Sequence, residues 1–184
     1  MTERDHDWDY LLDARWTLDV PEGWRAEIMD EMVLLAPPPD ARHFLLAGAV
    51  HEALARRLPG EAYLHRWPSV GLPLLGELYV PTLAVAASSA EGQRDASDVL
   101  LAVEITSRST ARQDRTKKLR GYAHAPVPLY LLIDRFDRPG PTVTLYSEPS
   151  DGAYGQSVRV PFGKPVELPE PFGTTLDTTG FPLP

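Results

Sequence analysis

One segment, Asp98 to Thr106 (DVLLAVEIT), constrains what this chain can fold into more than any other. Its near-continuous apolar character suits a strand buried on both faces, the position of a central strand with something packed above and below it. A second such run, Leu129 to Asp134 (LYLLID), follows. The stretch between them reads as a helix from about Thr110 to His124, closed by Pro126 and Pro128. Thr110 and Gln113 have the spacing of a capping box at its start.

The rest of the chain arranges itself around that unit. Residues 24–36 read as two short strands with a turn at Asp30-Glu31, although tight hairpins prefer glycine after the aspartate. Pro37 to Pro39 stop the second strand. Asp40 is placed to cap a helix running to about Leu58, with Ala47, Val50, Leu54 and Leu58 on one face and Pro59-Gly60 at its end. Short extended segments fill residues 62–86, the clearest being Leu78 to Ala87, and residues 88–97 read as a loop. Residues 142–184 read as edge strands and loops. The predicted organisation is a flexible, loosely ordered lead-in over residues 1–20 and one domain over 21–184. The fold class is α/β, a mixed α+β sheet flanked by helices.

Composition narrows the function classes. With no cysteine, disulfides, thiolate metal sites and a cysteine nucleophile are excluded. No apolar run approaches the roughly 20 residues that cross a bilayer, and Met1 to Trp16 lack a signal peptide's apolar core. A soluble, cytoplasmic protein without membrane contact is the expectation. The net charge of −8 argues against a surface coated by nucleic acid. The window Glu104–His124 nevertheless carries a net +4, so any anion-binding role is local to it. An exposed sheet edge would support a homodimer.

Phosphate-binding glycine loops, the dinucleotide fingerprint and the serine elbow are all absent. His51-Glu52 begins a zinc-protease motif, but Ala55 stands where its second histidine belongs. Glu104 is an acid inside the most apolar strand, where a carboxylate is costly unless paired or bound to a metal. A strand-end glutamate facing solvent, or one paired with an arginine, is the equally good bland alternative. Asp114, Lys118 and Tyr122 share one helix face, which also suits a surface ion pair beside a packed tyrosine. The basic run Arg108, Arg112, Arg115, Lys117, Lys118 and Arg120 also suits a solvated helix face. His43 reads as a capping or surface residue, and Trp24 and Trp67 as core or strand-edge aromatics with no visible base-stacking pattern.

The block Val103, Glu104, Ile105, Ser107, Ser109, Thr110, Asp114, Lys118, Tyr122 and the strand to Asp134 resembles the signature of the bacterial Uma-two family of restriction-endonuclease-like proteins, in the PD-(D/E)XK nuclease superfamily. Upstream, Glu27, Asp30 and His43 match the family's hairpin and following histidine, while Glu31 replaces the usual glycine. The likeness spans roughly residues 24 to 180. It implies a restriction-endonuclease-like fold, phosphodiester hydrolysis, DNA as partner, and Mg²⁺ or Mn²⁺ as cofactor. By the same resemblance Glu104 is a metal ligand, Glu27 an accessory ligand, and Asp114 and Tyr122 accessory residues. Lys118 would replace the usual strand lysine, because Thr106 holds the third position of E-x-K. Arg108, Arg112, Arg115 and Lys117 would face nucleic acid.

One departure matters. The resemblance requires a Pro-Asp pair where this chain has Pro81-Thr82. Threonine is neutral and a poor Mg²⁺ ligand, so the metal position at Thr82 is degenerate. Glu77 and Asp98 lie roughly 16 and 20 Å along extended chain from Thr82 and Glu104 respectively, too far to substitute. Three expectations follow: a nuclease with a weakened or lost Mg²⁺ site, a non-catalytic module that binds nucleic acid or protein, or a remnant of the fold with a purely structural role.

Overall fold

The computed structural model describes residues 3–87, 89 and 92–183. Its centre is a six-stranded sheet in the order β11-β10-β9-β8-β6-β3. Here β3 is Tyr63–Arg66, β6 Leu83–Ala86, β8 Val99–Ile105, β9 Leu129–Asp134, β10 Thr142–Ser150 and β11 Ala153–Pro161. The two apolar runs of the sequence are β8 and β9, and they pair in parallel. The other pairings in this sheet are antiparallel. A five-stranded sheet runs β2-β1-β5-β4-β7, with β1 Arg25–Met29, β2 Met32–Ala36, β4 Ser69–Leu72, β5 Glu77–Tyr79 and β7 Gln93–Asp95. A small third sheet joins β12 (Val166–Leu168) to β13 (Thr174–Leu176).

Side chains alternate across each strand, and that alternation sorts the cores. Leu101, Val103 and Ile105 of β8 face helix α2 (Ala41–Ala55), whose Leu46, Ala47, Val50 and Leu54 are buried against them. Ala102 lies on the opposite face, with Ala84, Tyr130, Tyr122 and the Tyr79 ring of the smaller sheet. The alternation therefore sends Glu104 toward the second sheet. In β1, Met29 packs toward this shared interior, while Ile28 packs outward with Leu78 and Val80 beneath helix α1 (Glu3–Thr17). Glu27 shares the face of Met29.

Several sequence expectations are corrected. Residues 1–20 contain a helix that lays Trp8, Leu11 and Leu12 over the smaller sheet. Helix α2 ends at Ala55, and Leu58 packs on the core from outside it. Leu78 to Ala87 is two strands in different sheets, and the chain changes sheet at Pro81-Thr82, because proline lacks the N–H a continuous ladder would need. The loop expected at 88–97 lies partly outside the described residues; its described part contains β7 and the start of a short 3-10 turn, Ala96–Asp98. β10 is an interior strand of the six-stranded sheet, whose edges are β11 and β3. The capping box at Thr110 is not made: Thr110 Oγ1 accepts instead from the Ser107 amide at 3.1 Å.

The hairpin between β1 and β2 turns through Asp30 (φ 50°) and Glu31 (φ 58°). Two successive positive φ values define a turn that favours glycine at its second position. A non-glycine residue there costs about 1 kcal/mol. Glu31→Gly should therefore raise Tm by about 2–4 °C in a thermal melt. An unchanged or lower Tm would show that this conformation is not a burden on the fold.

Candidate functional site

The site forms where β1, the Pro81-Thr82 crossover, β8 and one helical run come together. That run covers residues 111–124: an α-helical turn Ala111–Gln113, a π turn Asp114–Lys118, and a further helix Leu119–His124. Single π turns are frequent at functional sites because they locally re-aim side chains. Here Asp114 and Lys118, on the π turn, are buried.

Lys118 Nζ stands at the centre. It lies 2.7 Å from Glu27 Oε1, 2.8 Å from Glu104 Oε1 and 3.5 Å from Asp114 Oδ1. Glu27 Oε1 also accepts the Val80 amide at 2.6 Å. The Tyr79 ring lies 5.9 Å from the ammonium, and Tyr122 packs edge-on to that ring at 5.3 Å. All these acids and the lysine are buried, Lys118 to 2% exposure.

Thr82 completes the group. Its hydroxyl accepts the Ile105 amide at 3.3 Å and sits 3.4 Å from His43 Nε2. Glu27, Thr82, Glu104 and Lys118 share the wall of a small cavity of about 10 Å³, with Arg25 and Thr110 at its side. That is room for roughly one water molecule.

The electrostatics follow from burial. Desolvation pushes the Glu104 carboxyl up, to about 8, with Asp114 and Glu27 adding to the rise and Lys118 opposing it. Desolvation likewise lifts Asp114 to about 6, and Lys118 opposes that rise as well. Burial works against the Lys118 ammonium, but Glu104, Glu27 and Asp114 outweigh it and hold its pKa above the ordinary lysine value. Burial, with Arg25 and Arg135 nearby, depresses His43 to about 4. The Tyr122 hydroxyl is buried without a hydrogen-bond partner, and burial raises its pKa.

Of the residues singled out from sequence, Glu27, Thr82, Glu104, Asp114 and Lys118 come together, and Tyr122 packs beside them. The basic run does not form one open face. Arg115 makes a two-pronged ion pair with the buried Asp134, at 2.6 and 2.8 Å. Lys117 pairs with Asp30 of the hairpin turn. Arg108, Arg112 and Arg120 remain exposed, with Arg108 resting 4.9 Å from the Phe136 ring centroid. His43 is buried against Thr82 at 1% exposure, and it is its backbone amide that Asp40 caps, at 2.8 Å. Tyr79 and Arg25 also stand at the centre, and neither carries a spacing signal in the sequence that points there.

The donor set can be tested against a divalent ion. Such an ion needs about six oxygens at 2.0–2.6 Å with the acids free to bind it. Here one oxygen of each glutamate is engaged by an ammonium, and the third expected donor is a neutral threonine hydroxyl. Among the described residues no three His, Asp or Glu side chains converge as the ligands of one ion would. As arranged, the residues do not fit the metal.

Comparison with known proteins follows the same lines. Residues 9–179 match the family described as Uma2, "Putative restriction endonuclease". A solved structure, a "putative nuclease belonging to DUF820 from Anabaena variabilis ATCC 29413", superposes with a TM-score of 0.60 at 16% identity, over 89% of this chain and 90% of that one. At that identity the likeness is one of fold. No curated protein matches.

Proposed function

The chain belongs to the Uma2 family, and from that premise we propose that it engages nucleic acid on a restriction-endonuclease fold whose centre hydrolyses phosphodiesters weakly or not at all. One observation carries this reading: the Lys118 ammonium bridges Glu27 and Glu104. In nucleases of this type a divalent ion activates water and neutralises the charge that develops on the phosphoryl group. Here the acids that would hold the ion are committed to an internal cation. The formal charge of Glu27, Glu104, Asp114 and Lys118 together is −2, and burial of Glu104 and Asp114 favours their neutral forms, which brings it closer to zero. Thr82 leaves the set one carboxylate short.

Nucleic acid would meet the exposed Arg108, Arg112 and Arg120. Three such contacts give a shallow salt dependence, a slope of roughly −3 in log K against log salt. Arg115 and Lys117 hold the fold together and contribute less.

Calorimetry with Mn²⁺ tests the centre. The wild type should bind weakly, and Thr82→Asp should bind at least about tenfold tighter, since it adds a charged oxygen donor. Tight binding by the wild type that Thr82→Asp leaves unchanged would sink the reading. So would Mg²⁺-dependent cutting of DNA by the wild type that Glu104→Ala abolishes.

A further inference from the structure

Three of the chain's four tryptophans line one groove, although they lie far apart in sequence. Trp16 comes from the end of α1, Trp24 precedes β1, and Trp67 sits between β3 and β4. The groove has a volume of about 350 Å³, within the range of pockets that hold small organic groups. Trp16 and Trp24 are 58% and 39% exposed, unusually open for such large apolar rings. Trp67 has its indole N–H buried without a hydrogen-bond partner.

Two arginines accompany the rings. Arg15 is fixed by hydrogen bonds to the Ala26 carbonyl at 2.9 Å and the Ser69 hydroxyl at 2.8 Å, and its guanidinium lies 4.6 Å from the Trp16 ring centroid. Arg25 lies 5.7 Å from the Trp67 centroid. No aspartate or glutamate lines the groove among the described residues, in a chain whose net charge is −8. Arg25 and Val80 line both this groove and the cavity beside Glu27 and Glu104, so the two are adjacent and share a wall.

Aromatic faces, fixed cations and the absence of acids are complementary to a flat ring carried on an anionic backbone. We propose that the groove seats an unpaired base of a single-stranded nucleic acid, at a strand end or flipped from a duplex. The base stacks on Trp16 and Trp24, and its phosphate lies at Arg25, the residue that borders both the groove and the centre. A paired base inside a duplex hides its faces and cannot enter. This inference rests on the nucleic-acid reading above and narrows it to unpaired strands.

Tryptophan fluorescence of the full chain gives the test. Twelve-nucleotide oligothymidylate and oligouridylate and a blunt duplex of twelve base pairs would be titrated at low salt. The single strands should quench the emission saturably and bind at least about tenfold tighter than the duplex; comparing the two strands tells DNA from RNA. Trp16→Ala combined with Trp24→Ala should weaken single-strand binding by about tenfold or more, because each stacked base contributes on that scale. Trp16→Phe with Trp24→Phe should restore much of it. Equal affinity for strand and duplex, untouched by the alanine pair, would overturn the groove and leave nucleic-acid binding standing through Arg108 and Arg112. Failure of every nucleic acid to bind would overturn both. Self-association of the wild type that the alanine pair abolishes would assign the groove to a second copy of the chain and overturn the inference.

Discussion

Lys118→Met is expected to cost the fold about 3–5 kcal/mol at pH 8, because it removes the one cation from a buried group of acids. Methionine keeps most of the side-chain volume, so the loss reports charge rather than a cavity. Glu27, Glu104 and Asp114 would remain at 5%, 4% and 1% exposure with no ammonium among them. For a chain of this size the change corresponds to a fall in Tm of roughly 10 °C. The dependence on pH fixes its sign. Burial raises Glu104 to about 8 and Asp114 to about 6, above their unfolded values, so the folded state binds these protons more tightly than the unfolded chain. Stability from such groups is present at low pH and is lost as pH rises through the folded values. The deficit of Lys118→Met should therefore be largest near pH 8 and shrink as pH falls toward 5. Adding Glu104→Gln to Lys118→Met should recover part of it. Urea unfolding across this range measures both, and a loss under about 1 kcal/mol that is flat in pH would show that the acids do not depend on the ammonium.

Gly121→Ala should destabilise by about 2–3 kcal/mol, against the usual direction for a helix. Alanine is ordinarily favoured over glycine in a helix by about 1 kcal/mol. At this position a Cβ would lie 2.6 Å from Tyr79 Cε2 and 2.8 Å from Cζ. The Tyr79 ring is fully buried, bonded through its hydroxyl to Glu77 and packed against Tyr122. It cannot withdraw without disturbing the ring that lies beside Lys118, and overpacking of this kind costs about 1–3 kcal/mol or more. Combining Gly121→Ala with Tyr79→Leu, which removes the obstructing ring atoms, should cost clearly less than the two separately. A stabilised Gly121→Ala would mean that the helix stands further from the smaller sheet than this packing requires.

Both predictions concern a centre that was half legible in the sequence. The two central strands were readable because an unbroken apolar run of strand length, bounded by turn and helix signals, suits a strand covered on both faces and little else. The crossover helix between them carried its own period and its closing prolines. Glu104 was conspicuous as an acid in such a strand. Glu27, Asp114 and Lys118 gained meaning through resemblance to a family, and Thr82 stood out as the residue where that resemblance expects an acid.

The rest was decided by packing over long separations. Periodicity places a side chain on a face of its own element but is silent about which distant element that face meets. Lys118 could have been a surface ion pair; only the meeting of β1 with β8 and the helix put two glutamates within 2.8 Å of its ammonium. Arg115 and Lys117 read as part of one cationic face, yet Asp134 and Asp30 claim them. Arg15 reaches Ser69, 54 residues away, and this same docking of α1 gathers three tryptophans that no local spacing relates. Local sequence was enough for the two central strands, the helix between them and the threonine at position 82 where the resemblance expects an acid. The tertiary structure decided that a lysine fills the centre and that an aromatic groove opens beside it, because contacts between remote elements depend on how whole surfaces fit rather than on the order of neighbouring residues.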